Sequence, residues 1–456
     1  MIKPDSVPRS LLEDLQNVPG FNEPAFIAAH ELAAATSVRI NPYKDIGLFT
    51  ANEKVPWCSN GVYLKERPVF TLDPAFHAGA YYVQEASSMF LEHLLNSVLP
   101  DKKGLRVLDL CAAPGGKSTL IAGLLDKDSL LISNEVIRAR ASILEENMER
   151  WGYMNTWVTG NDPRDFGRLT GYFDVIVVDA PCSGSGLWRK DARALDEWSE
   201  ANVQLCSERQ QRILADVWPA LKEDGILVYA TCSYSPQEDE DILDWLASEY
   251  EVQSLPVEIK EEWGIVAVNS SKGMAGYRFF PDKVKGEGFF IAALQKKEEA
   301  DELRPVRFKT AHDKKIQQLA GHLLKDNDLL FIKDKENYCA IRPGHETDIH
   351  LLQQAVYLRK TGLKLGSPAA KEWLPDHEVA LSIDANTSLP SINADREQAL
   401  RYLKKEDMGI GDLEKGWLMV KYNGLGLGWV KSLGNRMNNY LPKHWRIRMD
   451  IDTSFL

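Results

Sequence analysis

The sequence predicts an α/β protein built around a doubly wound parallel sheet. From Gly104 to residue 231, short apolar runs alternate with helical segments, a pattern typical of parallel strands joined by crossover helices. The runs are apolar at nearly every position, as expected for strands covered on both faces. A Gly-Gly pair follows the first run, where such sheets usually bind a nucleotide-like ligand.

Each element of this sheet has its own local pattern. The predicted helices end or begin at polar or glycine residues, and Asp224-Gly225 predicts a turn before the fifth strand. Before the sheet we expect helices near Ser10 and Asn22 and a short strand ended by Asn41-Pro42. The sheet itself is predicted to contain strands 107–110, 130–134, 157–159, 173–179, 226–231 and 288–294, with helices 117–125, 138–150 and 208–221.

A chain of 456 residues exceeds one ordinary domain. The patterns predict four parts, with a linker in the charged stretch from Lys296 to Glu302. In the last part, residues 416–430 predict two strands around an Asn-Gly turn. The expected parts are a mixed N-terminal region at 1–100, the sheet domain at 101–297, an intermediate domain at 305–385 and a small β-rich module at 390–456.

Composition predicts a globular protein, with 44% hydrophobic and 26% charged residues. The net charge of −12 disfavours a protein that binds nucleic acid over its whole surface. Basic residues nevertheless cluster between Lys415 and Arg448, which is compatible with local RNA binding. The start of the chain has no apolar signal core, and no apolar run reaches membrane-spanning length. We therefore expect a cytoplasmic protein with reduced thiols and no membrane partner.

Two of the six cysteines, Cys182 and Cys232, each follow a predicted buried strand. Because parallel strands end at one edge of a sheet, we expect both thiols at the same rim. No Cys-x-x-Cys pair and no His-x-x-x-His cluster accompanies them, so we expect no metal. The alternative is that they are small buried hydrophobic residues. Two thiols beside Asp179 favour covalent chemistry.

The loop after the first strand and the acids after the next strands predict a ligand site. Gly115 and Gly116 allow close backbone approach, but Cys111 stands where a phosphate-binding P-loop needs glycine. A nucleoside without a triphosphate fits better. Glu135 is expected to accept ribose hydroxyls, and Asp162 an adenine amino group. With Asp179 these acids outline a site for S-adenosyl-L-methionine; each is alternatively a helix cap.

Three motifs resemble those of the Nop/Sun-type RNA (cytosine-5) methyltransferases, most closely the bacterial RsmF-type ribosomal RNA enzymes. They are Cys111-Ala112-Ala113-Pro114-Gly115-Gly116-Lys117, Asp179-Ala180-Pro181-Cys182-Ser183-Gly184 and Thr231-Cys232-Ser233. The resemblance covers most of residues 30–295. One departure is Asp282, where many members carry histidine. The resemblance implies a Rossmann-like class I methyltransferase sheet, S-adenosyl-L-methionine as cofactor and a role in rRNA processing.

The resemblance also implies roles for individual residues. Cys232 would be the nucleophile that adds to C6 of cytosine, and Cys182 would assist release of the product. Asp179 would bind the cytosine edge and also contact the cofactor. Lys117 would add positive charge beside a thiol, or else be a solvated lysine. The cofactor would contact residues 111–117 together with Glu135, Asp162 and Asp179.

Residues 416–448 resemble the PUA-like module of the same bacterial enzymes. We expect this module to bind RNA, with Trp429, Tyr440 and Trp445 as stacking candidates; their alternative role is in the core. Small-subunit ribosomal RNA is the expected substrate and transfer RNA the alternative, while a non-catalytic RNA-binding assembly factor is a third reading. A monomer is expected.

Overall fold

The computed structural model describes residues 6–191, 193–300, 314–334, 336–369, 372–411 and 413–450. The start of the expected intermediate domain and the end of the expected linker, at 301–313, therefore lie outside the described residues, as do the two chain ends. Within the described part, no helix combines the length and the apolar character that crossing a membrane needs.

The N-terminal region contains a small antiparallel sheet with strand order β2-β1-β3. Its second helix begins as predicted, because the Asn22 side chain accepts a hydrogen bond from the backbone N–H of Ala25 at 3.0 Å. The elements are α1 Arg9–Leu15, α2 Glu23–His30, β1 Thr36–Ile40, β2 Gly61–Leu64, α3 Pro74–His77, β3 Tyr81–Val83 and α4 Phe90–Val98.

The sheet domain follows as an alternation of strands and helices. Its elements are β4 Arg106–Asp109, α5 Gly116–Leu124, β5 Leu130–Asn134, α6 Arg138–Trp151, β6 Thr156–Thr159, α7 Pro163–Phe166, β7 Phe173–Asp179, α8 Arg193–Glu197, α9 Glu200–Val217, β8 Leu221–Thr231, α10 Glu240–Glu249, β9 Val252–Ser254, β10 Val266–Asn269, β11 Ala275–Phe279 and β12 Phe289–Lys296.

The region between the sheet domain and the C-terminal module has its own antiparallel sheet, β13-β14-β16-β17. It is also bound to the sheet domain, since Arg106 and Asp348 form a largely buried ion pair at 2.8 Å. Its elements are α11 Lys314–Ala320, β13 Leu330–Asp334, β14 Asn337–Ile341, α12 Glu346–Ala355, β15 Leu358–Lys360, β16 Leu363–Pro368, β17 Trp373–Pro375 and α13 His377–Leu381.

The central sheet has a parallel middle and antiparallel edges. In the described residues its strand order is β10-β11-β12-β8-β7-β4-β5-β6-β15, and β9 also pairs with β12. Strands β8, β7, β4, β5 and β6 are parallel, which confirms the predicted doubly wound sheet. At one edge β12 pairs antiparallel with β8, and at the other β15 of the following region pairs antiparallel with β6.

Neighbouring strand residues point into two separate cores, one on each face of the sheet. Val107, Val175 and Val228 pack into one hydrophobic cluster, whereas Leu108 and Ile176 pack into the other. Each fully buried side chain of this size contributes about 1.5–3 kcal/mol. The continuous apolar runs in the sequence follow from this burial on both faces.

Two predicted boundaries between β7 and β8 are wrong. The helix is α9, which begins at Glu200 rather than residue 208, because the Ser199 side chain caps it by accepting from the N–H of Asn202 at 3.1 Å. It ends before Pro219, which cannot continue the hydrogen-bond pattern. The predicted Asp224-Gly225 turn is instead a register shift inside β8, with Asp224 at a φ of 57°.

The C-terminal module contains the predicted hairpin, with Asn423 and Gly424 at φ values of 47° and 82°. Stacking of RNA on Trp429 or Trp445 is excluded, because these rings are 2% and 7% exposed and belong to the core; Tyr440 remains 40% exposed. The elements are β18 Ser391–Ala394, α14 Arg396–Lys404, β19 Gly416–Tyr422, β20 Leu425–Ser432 and β21 Met437–Asn439.

Candidate active site

The two strand-end cysteines meet at the carboxyl edge of the parallel sheet. Cys182 follows β7 and Cys232 directly follows β8, and their sulfur atoms lie 3.1 Å apart. Both thiols are partly exposed, in contrast to the buried Cys58, Cys206 and Cys339. The geometry therefore places two thiols within hydrogen-bond distance at one rim.

Two glycines allow the loops that carry these cysteines to touch through their backbones. The N–H of Gly186 donates to the carbonyl oxygen of Cys232 at 2.8 Å, and the N–H of Gly288 donates to that of Gly186 at 3.2 Å. A Cβ atom on Gly186 would collide with the carbonyl oxygens of Gly288 and Cys232. Glycine at this position is therefore needed for the short distance between the thiols.

A buried carboxylate, Glu238, connects the residues that follow the two cysteines. It accepts hydrogen bonds from the Ser183 N–H at 2.7 Å, the Ser183 hydroxyl at 2.5 Å and the Ser233 hydroxyl at 2.6 Å. The Gln210 side chain donates to it at 3.3 Å. Burial raises the pKa of Glu238, while these hydrogen bonds act in the opposite direction. Glu238 thereby holds both cysteine loops in one arrangement.

The contact between the thiols changes the electrostatics of Cys182. The hydrogen bond with Cys232 is the main cause that raises the pKa of Cys182 well above its usual range, and burial adds to it. Cys182 therefore holds its proton more tightly than an ordinary thiol does.

Lys117 brings a positive charge to the same rim. Its Nζ lies 2.6 Å from Asp179 Oδ2 and 4.9 Å from the centre of the Phe289 ring. Burial alone would lower the pKa of Lys117, but attraction to Asp179, Asp109 and Cys232 raises it above its usual value. Lys117 is thus a paired and largely buried cation rather than a solvated lysine.

The predicted ligand loop, residues 111–117, runs from β4 into α5 and is held by α6. Gly115 has a φ of 117°, which favours glycine. Arg140 donates to the carbonyl oxygen of Ala113 at 2.8 Å, and Asn147 donates to that of Pro114 at 2.7 Å. The start of α5 therefore faces the carboxyl edge with a fixed backbone.

The strand-end acids have different local partners. Glu135 is buried, accepts from the N–H of Ile137 at 2.9 Å and lies 3.4 Å from Arg140. Asp162 caps the short helix α7 by accepting from the N–H of Arg164, and its side chain is 46% exposed. Asp162 therefore acts as a helix cap, which is the alternative role that the sequence left open for these acids.

Asp109, at the end of β4, is a site residue that the sequence analysis missed. Its side chain is fully buried, and one oxygen accepts from the Ser118 hydroxyl at 2.6 Å. The other oxygen has no hydrogen-bond partner among the described residues. Burial raises the pKa of Asp109 to about 7, and the charges of Asp179 and Glu135 also raise it. An acid inside an apolar strand was the available signal.

The charges of this site suit S-adenosyl-L-methionine. Asp109, Glu135 and Asp179 act on one another, and Lys117 and Arg140 are the nearby cations. A ligand that carries a sulfonium and an ammonium group would offset the burial and the neighbouring negative charges that raise the pKa of Asp109. Glu135 offers a carboxylate for hydroxyl groups, and the loop at 111–117 offers backbone groups, so the residues present fit this cofactor.

Comparison with known proteins identifies the family. The models for 16S rRNA methyltransferase RsmB/F, the RsmF PUA domain and the RsmF N-terminal domain match residues 96–295, 389–447 and 7–86. Ribosomal RNA small subunit methyltransferase F of Shewanella loihica is 32% identical over 86% of this chain and 83% of its own length. The chain belongs to the RsmF family of 16S rRNA methyltransferases.

Other proteins that are similar to this RsmF-family chain are also methyltransferases or share their fold. The Vibrio atlanticus ribosomal RNA small subunit methyltransferase F is 30% identical over 92% of this chain and 93% of its own length. A methyltransferase homologue from Pyrococcus horikoshii, 28% identical, matches 64% of this chain and 100% of its own with a TM-score of 0.51. NSun6 from the same organism, solved with SFG, matches 65% and 100% at 20% identity and a TM-score of 0.55, which supports the fold.

Proposed function

We propose that this protein uses S-adenosyl-L-methionine to form 5-methylcytosine in small-subunit ribosomal RNA through a covalent bond between Cys232 and C6 of the target cytosine. The observation that carries the proposal is the 3.1 Å separation of the Cys182 and Cys232 sulfur atoms, beside the Lys117–Asp179 pair. The contact raises the pKa of Cys182, so that thiol is suited to hold its proton while Cys232 acts as the nucleophile. Two distinct thiol roles suit a reaction in which a covalent bond forms and later breaks.

The first chemical requirement is a nucleophile, because C5 of cytosine reacts poorly by itself. The Cys232 thiolate attacks C6, a sulfur–C6 bond forms, and the electrons of the C5–C6 double bond make C5 nucleophilic. Asp179 hydrogen-bonds the cytosine edge and favours protonation at N3 during the attack. When bound, the cofactor supplies the electrophilic methyl group that C5 takes up.

Release requires the opposite changes. The C5 proton passes to solvent water, N3 gives up the proton that it gained during the attack, the C5–C6 double bond re-forms and the sulfur–C6 bond breaks, returning Cys232 to the thiolate. Cys182, 3.1 Å from Cys232, supports this step. Lys117 stabilises negative charge at the rim before and after the reaction.

The cofactor is held by the loop from Cys111 to Lys117 and by the strand-end acids. Glu135 binds the ribose hydroxyls, Asp162 the adenine amino group, and Asp179 the reacting end. Asp109 acts from behind the loop through its charge, because its side chain is fully buried. The site suits a positively charged sulfonium group because its three carboxyl groups outnumber its two cations, Lys117 and Arg140.

The regions outside the sheet domain recognise and bind the RNA. The target base must be single-stranded or turned out of a helix to reach the rim. We assign RNA recognition and substrate support to residues 1–100, catalysis to 101–297 and further RNA binding to the module at 390–456, with 305–385 as an intermediate domain. The partly exposed Tyr440 is the stacking candidate that the module retains.

A methylation assay tests this function. The purified protein is incubated with S-adenosyl-L-methionine and either small-subunit ribosomal RNA, assembled small subunits or transfer RNA, followed by bisulfite sequencing. We expect new 5-methylcytosine in ribosomal RNA and none in transfer RNA. Methylation of transfer RNA alone would move the assignment to that substrate, and RNA binding without any methylation would indicate an assembly factor.

A further inference from the structure

A cavity of about 490 Å³ lies where the N-terminal region, the sheet domain, the intermediate region and the C-terminal module meet. We propose that it binds a phosphate-bearing segment of the RNA, as a second site separate from the thiols. The proposal rests on the proposed function, because it takes RNA as the substrate. Its lining includes Tyr43, Lys127, Lys325, Asn386, Lys421 and Gly424.

The cavity is basic on a chain whose net charge is −12. Its lining has five lysine or arginine residues against two acids, namely Lys44, Lys127, Lys325, Arg342 and Lys421 against Asp126 and Asp384, and burial lowers the pKa of Lys44 to about 7. The acids already have partners: Asp384 pairs with Arg342 at 3.2 Å, and Asp126 accepts from the Ser129 hydroxyl at 2.6 Å.

Three of the lysines remain available for an anion. Within the described part of the chain, Lys127, Lys325 and Lys421 form no ion pair. Lys325 uses its Nζ to donate to the carbonyl oxygen of Ile383 at 2.8 Å, which fixes its position and leaves other protons free. Three ammonium groups outside any ion pair, of which Lys127 and Lys325 also attract the more distant Asp326 and Asp384, surround one cavity and match the oxygens of a phosphate backbone.

The cavity also has an aromatic wall. The Tyr43 ring is 65% exposed, and one edge contact with Tyr153, at 5.6 Å between ring centres, holds it in place. An exposed ring beside lysines is the arrangement on which single-stranded bases stack. The hairpin tip at Gly424 borders the same space, where an added Cβ would meet nothing within 4 Å.

Topology places this cavity at the opposite edge of the sheet from the thiols. Asp126 and Lys127 precede β5, and Tyr153 and Asn155 precede β6, so they lie at the amino ends of parallel strands. The thiols lie at the carboxyl ends. A strand of five residues such as β5 spans roughly 17 Å. A single nucleotide cannot reach both sites, so the RNA that fills both must be folded or wrap around the domain.

Charge reversal of the exposed Lys127 and the half-buried Lys421 tests the proposal. The Lys127→Glu/Lys421→Glu double variant should bind small-subunit ribosomal RNA about tenfold more weakly in filter binding. The slope of log affinity against log salt concentration should become shallower by about two, since two phosphate contacts are lost. Lys333→Glu is the matched control, since Lys333 is exposed, belongs to the intermediate region and lies outside the cavity lining. The control should bind RNA like the wild type.

An aromatic variant gives an independent measurement. Tyr43→Ala should weaken RNA binding at least about fivefold, whereas Tyr43→Phe should retain it, because stacking needs the ring. Excess AMP is the competitor that separates a free nucleotide from an RNA strand, and we expect it to displace little RNA. Full displacement by AMP would overturn the assignment to RNA.

The two proposals fail in different ways. If the wild type binds ribosomal RNA and both the double lysine variant and Tyr43→Ala bind it equally well, the cavity is not an RNA site, and the function at the thiols is untouched. If the wild type itself neither binds nor methylates ribosomal RNA, the proposed function fails. Unchanged affinity for S-adenosyl-L-methionine in the lysine variant shows that the fold is intact.

Discussion

The sulfur atom of Cys182 lies 3.1 Å from that of Cys232, although the two residues follow different strands and are fifty positions apart in the chain. This contact is the main cause that raises the pKa of Cys182 well above its usual range.

Alanine variants of the two cysteines should be blocked at different steps of the reaction. Cys232→Ala should abolish methylation and form no covalent bond with RNA, because attack on C6 needs that thiolate. Cys182→Ala should still attack but release slowly, and so accumulate a protein–RNA adduct that survives denaturing electrophoresis. Cys206→Ala, which removes a buried thiol outside the pair, is the control and should trap no RNA. An adduct with Cys232→Ala instead would reverse the roles.

Glu238→Gln should weaken the connection between the two cysteine loops. Glutamine has one acceptor oxygen, so at least one hydrogen bond from Ser183 or Ser233 is lost, at a cost of about 1.5–3 kcal/mol in the free energy of unfolding. Urea unfolding measures this loss. Thiol alkylation of Cys182 should become faster, because the charge of Glu238 helps to raise the pKa of that thiol.

Glu223→Gln provides the matched control for Glu238, since Glu223 is exposed on β8. Its unfolding free energy and alkylation rate should equal those of the wild type. If Glu238→Gln also behaves like the wild type in both measurements, Glu238 does not position the cysteine loops.

Asp109 should make the stability of the ligand-free protein depend on pH. Its pKa in the folded state, about 7, is higher than the ordinary value of 3.8, so the folded protein binds more protons between these values. Stability should therefore fall as pH rises through this window and level off above it. Asp109→Asn should flatten the profile and raise the free energy of unfolding at pH 8, on the order of 2–4 kcal/mol. Equal slopes for both proteins would show that Asp109 does not titrate there.

Glu135→Ala should weaken binding of S-adenosyl-L-methionine. Each hydrogen bond from a ribose hydroxyl to a carboxylate is worth about 1.5–3 kcal/mol, which corresponds to a loss of at least about tenfold in affinity. Isothermal titration calorimetry measures it, with Glu145→Ala on α6 as a control acid outside the ligand loop. Unchanged affinity would remove Glu135 from the cofactor site.

The sequence was sufficient to predict the parallel strands and the shared rim. Strands such as β5 and β7 are continuous apolar runs, and ends of parallel strands always meet at one edge. This is why Cys182 and Cys232 were expected at one rim from their positions alone.

The contributions of Asp109 and Glu238 required the structure. Asp109 is one acid in an apolar run, and its burial depends on packing from elements distant in sequence. Glu238 lies in the polar run from Gln237 to Asp241, which is typical of a solvated helix start. Its hydrogen bond to Ser183, 55 positions away, has no local sequence signature.

The strand β15, only three residues long, has a consequence beyond the site. By pairing with β6 it covers N–H and C=O groups that the parallel sheet would otherwise present to solvent. Uncovered sheet edges recruit strands from other molecules, so nature usually blocks them. In this chain the block comes from Leu358–Lys360, more than sixty residues beyond β12. Shortened chains that stop at β12 would therefore be prone to aggregate, and the intermediate region serves as a built-in guard against self-association.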